Sequence, residues 1–540
     1  MLTQTYNISG IVLDYETNNP IENANIFISD SKSGTITNNE GYFTLFVTNQ
    51  AENNVDLNIR IIGYKEKKIP LDLSKSRIDL GEIYLITKSL ELESVHVHSH
   101  KEESKQISDI SLSGQSLNDN LIGNIATTLS NQPNIGINSF GTVTSKPVLR
   151  GYSGDRFLLT KDGNKTGDLS QSSIDHVITL DMTEVSEVDI VRGPKSLVFG
   201  SNAIGGVINT SIAGNPKVRT DEILRKIFLG GETFNNALYG NMMFYIPIKD
   251  SQLNILLSNR NTGNQTSPIG ELQNTYSKAS NYKIGLTKYN ENNYINFIIE
   301  NFNMDYGIPP SSDGGHINGV DIELIKNTFQ TNYHKDILFN SFNQFDIQYN
   351  LIDYEHKEFE NNSNNSSVGL SKITHNLKIE LKSSNSIIGS ELSYKTFLPG
   401  GLYWTPETDE LNLSLYGFSE KEFNNFDFLS SFRIGHLLIK PILDNISFSN
   451  LDSEEVRDRK FTYFSSSLGI KKVIEKIEIN SWIMNTMKAP KIEELYSDGP
   501  HLGSYSYEIG EPNLELEKIY GIESSISYTT NPFNLSLTAF

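Results

Sequence analysis

From about Lys226 to Phe540, apolar and polar residues alternate in segments of about ten, broken by loops rich in Asn, Ser and Gly. Tyr520, Ile522, Ser524, Ile526 and Tyr528 fall on one face of such a segment, and Gly521, Glu523, Ser525, Ser527 and Thr529 on the other. Leu253/Ile255/Leu257, Tyr282/Ile284/Leu286, Phe345/Ile347/Tyr349, Ile373/Leu377/Ile379 and Leu411/Leu413/Leu415 repeat the pattern. A period of two is the period of a strand, so each segment turns one set of side chains to an apolar surrounding and the other to a polar lumen. A solenoid would add a fixed repeat length, and none is present. The pattern predicts an antiparallel transmembrane β-barrel over 222–540, with about fifteen strands of ~10 residues. A barrel wide enough to hold a folded domain needs about 22 strands. The barrel is therefore expected to be partial and to continue past Phe540, although an aromatic last residue also suits a complete, smaller barrel.

Upstream the texture differs. Ile8–Leu13, Asn25–Ser29, Gly34–Thr37, Tyr42–Val47, Val55–Ile62 and Lys67–Leu71 alternate or run apolar between Asn, Asp and Gly turns. Residues 1–86 are therefore expected to form an Ig-like β-sandwich. Residues 87–107 are polar and charged and read as a linker with one potential strand, and 108–216 mix helix and strand in a small α/β domain. Within that domain, Asn120–Leu129 is expected as a helix ended by Pro133, with strands at Lys146–Gly151 and Arg156–Gly163.

Composition narrows the class. Hydrophobic residues make up 37% of the 540, mean hydropathy is −0.35, and no run approaches the ~20 apolar residues of a membrane helix. A strand-built membrane protein stays open because its polar lumen face dilutes the apolar one. The 25 Tyr and 27 Phe against 2 Trp suit strands and interfacial girdles. A net charge of −20 argues against nucleic acid. There are no cysteines, which removes disulfides and thiolate chemistry. MLTQTYNISG lacks the charged and apolar regions of a secretion signal, so the signal that an outer-membrane protein needs is expected upstream or already removed.

The most distinctive segment is VSEVDIVRGPKSLVFGSNAIGGVI, Val185–Ile208. It joins a strand to an Arg-Gly-Pro turn, a short helical stretch and a glycine-rich return to a second strand. Phosphate-loop glycine spacings are missing from it. The segment resembles the plug domain of TonB-dependent outer-membrane receptors. ISGIVLDYETNNPIENANIFISDSKSGTITNNEGYFTL, near the N-terminus, is similar to the carboxypeptidase-regulatory-like domain that precedes the plug in Bacteroidetes-type receptors, a domain without catalytic residues. MKAPKIEELYSDGPHLGSYSYEIGEPNLELEK, 487–518, and IDHVITLD, Ile174–Asp181, resemble most closely a zinc-uptake-like subgroup.

The resemblance implies a transporter and not an enzyme, placed in the outer membrane lipid with its N-terminal domain in the periplasm. It also implies energisation by TonB and its ExbB/ExbD motor. A TonB box, which binds its partner by adding a strand, is expected at Glu93, Ser94, Val95, His96 and Val97. Arg150 and Arg192 are expected to lock the plug to wall glutamates, with Glu494 and Glu523 as the partners. No resident cofactor is implied, and zinc enters as cargo. Imidazoles with carboxylates make good Zn²⁺ ligands, and Asp175, His176, His316 and His501 are the candidate set. Singly, each histidine reads more simply as an ordinary loop residue. His96, His98 and His100 lie beside the expected TonB box and read as incidental or a weak metal sink. Zinc or another metal ion leads as substrate, followed by ferric siderophore or haem, with cobalamin and glycans open. A binding or adhesion barrel without energised transport is the alternative of another class.

Overall fold

The alternation in the second half of the chain produces one antiparallel sheet of 15 strands, running in sequence order from Leu224–Glu232 to Asn534–Ala539. The computed structural model describes residues 5–14, 19–28, 34–48, 54–61, 64, 66–73, 75–85, 110–121, 123–139, 141, 143–212, 219–310, 318–360, 363–402, 405–443, 449–530 and 533–540. The linker with Glu93–Val97, the His96/His98/His100 triplet and His316 lie outside the described residues. The chain divides into two units, Met1–His96 and Val97–Phe540.

In the first unit a three-stranded sheet (Tyr42–Thr48, Thr5–Asp14, Arg77–Leu85) and a four-stranded sheet (Gly34–Ile36, Asn25–Ile28, Asn54–Arg60, Lys67–Asp72) share one apolar core. Alternate residues such as Phe43, Leu45 and Val47 face inward against Ile26, Ile28, Leu57 and Ile59. At the reversal before Tyr42, the Asn38 carboxamide oxygen accepts from the Glu40 and Tyr42 amides at 3.0 and 2.9 Å. The last strand, Arg77–Leu85, runs parallel to the first.

The second unit begins with the plug. A five-stranded sheet orders Asn164–Lys165, Leu158–Lys161, Val207–Ile212, Val185–Val191 and Ile110–Ser113, beside a hairpin of Ile135–Asn138 and Lys146–Leu149. The single helix expected over Asn120–Leu129 is two short helices, Gly114–Asn120 and Ile125–Leu129. The break is local chemistry. Gly123 adopts φ +59, and the Asn124 side chain caps a new helix by accepting from the Ala126 and Thr127 amides.

Around the plug the barrel strands reach 20 residues in Val320–Phe339, more than the ~9–11 that span a bilayer. Outward residues such as Ile284, Ile299, Leu413 and Ile522 are exposed. Inward residues are polar yet buried, including Asn281, Glu300, Lys326, Arg433 and Glu523, because the plug fills the lumen beside them. One end of the sheet closes by turns of a few residues, while the other carries longer segments, the largest spanning 489–516. Short turns face the periplasm and long loops the exterior in barrels of this kind.

Polar contacts pin the plug to the wall. Lys161 Nζ lies 2.6 Å from Glu300 and 3.3 Å from Glu184. Arg433 donates to the carbonyls of Leu197 and Val198 at 3.1 Å and pairs with Glu391. Gly193, at φ +62, receives the Trp482 indole where a Cβ would stand 2.8 Å from its Nε1. Arg150 forms a two-pronged pair with Glu523, one prong at 2.7 Å.

Glu494 is placed differently from the sequence expectation. It meets neither plug arginine, but accepts from Lys488 Nζ and the Lys491 amide, both at 2.9 Å. As the third residue of the helix Ile492–Tyr496 it turns back to cap its own N-terminus. Arg192 Cγ lies 3.2 Å from where a Cβ on Gly206 would stand.

Candidate metal centre

A polar loop of the plug, Asp168 to Leu180, rises at the long-loop end of the barrel. The Asp168 carboxylate ties the loop's two ends, accepting from the Ser170 amide at 3.1 Å and the Thr179 amide at 3.0 Å. Ammonium groups hold its main-chain carbonyls from outside. Lys372 reaches Asp168 O at 2.6 Å, Lys491 reaches Gln171 O at 2.9 Å, Lys326 reaches Thr179 O at 3.2 Å, and Lys146 donates to Ser173 O. Burial pushes the Lys146 ammonium down to about 8 against the pull of Asp175 and Asp168.

This clamped loop presents Asp175 and His176. Glu358, near the outer end of the strand Phe342–Glu360, approaches from the wall. His501 approaches from a separate hairpin, Asp498–His501 with Ser506–Ile509, inside the 489–516 segment. The four side chains are buried, and each offers one ligand atom, all within 4.8 Å of one another. His501 Nε2 lies 3.3 Å from Asp175 Oδ1, and His176 Nε2 lies 3.7 Å from Asp175 Oδ2 and 3.8 Å from Glu358 Oε1. Ligand atoms at ~2.0–2.1 Å around a tetrahedral Zn²⁺ stand about 3.3 Å apart, so a small contraction would suffice.

Hydrogen bonds set the direction of each donor. His176 Nδ1 lies 3.2 Å from Leu169 O. A carbonyl only accepts, so Nδ1 carries a proton, and Nε2 is the ring atom that faces the cluster. His501 Nδ1 lies 2.8 Å from Glu508 Oε1, the carboxylate–histidine arrangement that orients metal ligands. Ser173 holds Asp175 Oδ1, and Tyr306 donates to the Asp175 carbonyl at 3.1 Å. Asp175 Oδ2, His176 Nε2 and Glu358 Oε2 are buried with no hydrogen-bond partner. Buried polar atoms normally have one, so three orphans in one cluster point to a group that completes it.

Burial alone would raise the Asp175 carboxyl, but the His176 and His501 imidazoles hold it well below the usual carboxylate range. Burial likewise disfavours charge on His501, yet Asp175 and Glu508 raise its imidazole well above the ordinary value. Positive charge on the imidazoles and negative charge on the carboxylates thus favour each other here.

Of the expected ligands, Asp175, His176 and His501 are brought together, while His316 lies outside the described residues. Glu358 takes a place that the sequence reading did not assign. Its signal was available: His356 and Glu358, two apart at a strand's loop end, share the lumen face.

The described residues thus place a small α/β plug against the polar face of a 15-stranded antiparallel sheet, with a buried cluster of imidazoles and carboxylates where plug, strand end and hairpin meet. The chain matches the family described as "TonB dependent receptor-like, beta-barrel" over residues 228–540. It also matches the "TonB-dependent Receptor Plug Domain" over 101–207 and the "CarboxypepD_reg-like domain" over 8–97. It belongs to the TonB-dependent receptor family, whose members are outer-membrane receptors and not enzymes.

Among curated relatives, the Heme/hemopexin utilization protein C of Haemophilus influenzae is 30% identical over 162 residues, covering 28% of this chain and 21% of that protein. The Hemin receptor of Yersinia enterocolitica is 38% identical over 87 residues, covering 15% and 12%. The matched part thus spans about a fifth or less of these relatives' length. Among solved structures, the copper transporter OprC has a TM-score of 0.64 at 12% identity, covering 79% of this chain and 70% of that one. The siderophore receptor PirA from Pseudomonas aeruginosa gives 0.58 at 13%, covering 79% and 73%. These likenesses concern the fold.

Proposed function

We propose that this receptor imports a bare divalent metal ion, zinc first, across the outer membrane with energy delivered by TonB and its ExbB/ExbD motor. The observation that carries the reading is the cluster Asp175, His176, Glu358 and His501, with its three orphaned ligand atoms. Two imidazoles and two carboxylates make a borderline-hard, doubly negative set suited to Zn²⁺. No sulfur is among the four ligands, which disfavours Cu⁺. The four side chains are buried with their ligand atoms within 4.8 Å of one another, a spacing that suits a single ion and not a macrocycle. Cargo would meet Asp175 and His176 on the plug, and transduction would pass through the segment Glu93–Val97.

The test is direct binding and growth. Purified receptor should take up one Zn²⁺ in competition with a chromophoric chelator, and Glu358→Gln or His176→Ala should abolish it. A receptor knockout should grow poorly on zinc-limited and normally on iron-limited medium. An unchanged zinc requirement would overturn the reading. Haem is the second reading, favoured by the names of the curated relatives. A Soret shift on adding haem, insensitive to those substitutions, would support it. Uptake undiminished after deletion of Glu93–Val97 would instead support a binding barrel without energised transport.

A further inference from the structure

His356 lies outside the four-ligand set, yet it is fully buried against it. Its ring stands edge-on to His176, with centroids 4.6 Å apart. His356 Nε2 lies 3.2 Å from Glu358 Oε1, and its Nδ1 lies 3.3 Å from the Tyr354 hydroxyl. A carboxylate accepts, so Nε2 carries the proton and Nδ1 receives the Tyr354 hydroxyl. Tyr354, His356 and Glu358 alternate on one strand face and form a hydrogen-bonded file ending at the cluster.

The file commits one oxygen of Glu358 and leaves Oε2 as its uncommitted atom. Asp175 is treated alike: Ser173 takes Oδ1, and Oδ2 is left over. A free carboxylate can bind a metal through both oxygens, which raises the coordination number and suits larger or octahedral ions. A hydrogen bond to one oxygen fixes the carboxylate's orientation and disfavours binding through both.

Resting on the divalent-ion reading above, we infer that His356, backed by Tyr354, is a positioning residue that makes Glu358 a one-atom ligand, and so selects four-coordinate Zn²⁺ over ions that prefer higher coordination such as Mn²⁺. Replacing His356 would free Glu358 to bind through both oxygens. The site would persist with its preference altered.

The experiment uses full-length receptor in detergent, loaded with Co²⁺ as a visible probe and titrated separately with Zn²⁺ and Mn²⁺. Wild type should show the intense visible bands of tetrahedral Co²⁺. In His356→Phe those bands should fall several-fold, as five- or six-coordination requires. Zn²⁺ affinity should drop by about 10–100-fold, the usual effect of removing a group that supports a metal ligand, while Mn²⁺ affinity holds or rises. A tetrahedral spectrum in His356→Phe, or a parallel loss of Zn²⁺ and Mn²⁺ affinity, overturns the inference and leaves the zinc reading standing. A wild-type receptor that binds neither Co²⁺ nor Zn²⁺ overturns both. If His356→Phe fails to fold, Tyr354→Phe decides. It removes only the hydroxyl that fixes the ring's tautomer, and an unchanged spectrum and Zn²⁺/Mn²⁺ ratio there overturn the inference.

Discussion

Gly503 sits in the tip of the Asp498–His501/Ser506–Ile509 hairpin, directly over Asp175. A Cβ at this position would overlap Asp175 Oδ2 and lie 2.8 Å from Cγ. The backbone of Gly503 is not in the left-handed region, so Gly503→Ala tests the added methyl alone. The carboxylate has little freedom to yield. Ser173 and His501 hold Oδ1, and Tyr306 holds the main-chain carbonyl. The other escape is for the hairpin to lift, which withdraws His501 two residues away. Either route removes a metal ligand from the closed state. Overpacking of this kind costs about 1–3 kcal/mol, equivalent to about five- to 150-fold in the apparent dissociation constant when only the closed state binds. Zn²⁺ competition against a chromophoric chelator measures it, with Ser506→Ala, exposed on the same hairpin, as the control expected to match wild type. A folded Gly503→Ala receptor with wild-type zinc affinity would refute the reasoning, because the methyl cannot be housed without moving Asp175 or His501.

Removing Arg150 leaves Glu523 buried without its cation, and breaking a buried pair typically costs about 3–5 kcal/mol. Arg150→Ala should therefore loosen the plug in urea titrations followed by limited proteolysis, and Arg150→Ala with Glu523→Gln should cost less than the sum of the two. Gly193→Ala must adopt φ +62 and push the Trp482 indole. The left-handed backbone alone costs about 1–2 kcal/mol, and the displaced indole should shift the tryptophan emission. Zinc at about 100 times its dissociation constant should stabilise the receptor by about 2.7 kcal/mol. Hydrogen exchange should then slow together in 168–179, around Glu358 and in the 498–509 hairpin; protection in only one of these would count against the shared site.

The period-two pattern carried the barrel, because a sheet between lipid and a polar interior writes its two surroundings onto alternate residues. The strands outgrew the expected ten residues because alternation says nothing of how far a strand projects beyond the bilayer. The plug was legible where geometry leaves few residue choices: Val185–Val191 ends at Arg192, and Gly193 and Gly206 take φ +62 and +116. The helix over Asn120–Leu129 failed as one element, since an Asn cap inside an apolar pattern restarts a helix as readily as it continues one. Asp175-His176 could be picked out as a motif, being adjacent in the chain. Glu358 carried a weaker signal, its spacing of two from His356 at a strand's loop end, and an inward glutamate on a barrel strand otherwise reads as one more lumen residue until the plug is placed against it. Glu494 looked like a lock and proved to be a cap, a difference settled by which nitrogen its carboxylate meets.

Elsewhere along the interface between plug and wall, buried carboxylates are matched by permanent cations: Glu523 by Arg150, Glu391 by Arg433, Glu300 by Lys161. Such pairs fix one element against another at a desolvation cost that close contact offsets. At the outer mouth the pattern changes. Among the described residues the ion-pair partners of Asp175 and Glu358 are histidines alone, although Lys146, Lys326, Lys372 and Lys491 stand close enough to clamp the carbonyls of the same loop. Those lysines spend their protons on the backbone and hold the loop in shape. The carboxylates are left to groups that can give their proton up. The surroundings are apolar, with Val177, Tyr306, Tyr354, Leu370, Tyr496 and Leu502 in one cluster, so water is a poor substitute for the missing charge. A permanent lysine or arginine would make this junction another lock. Imidazoles leave the positive charge exchangeable at the point where plug, wall and hairpin meet, as the ion import proposed above would require.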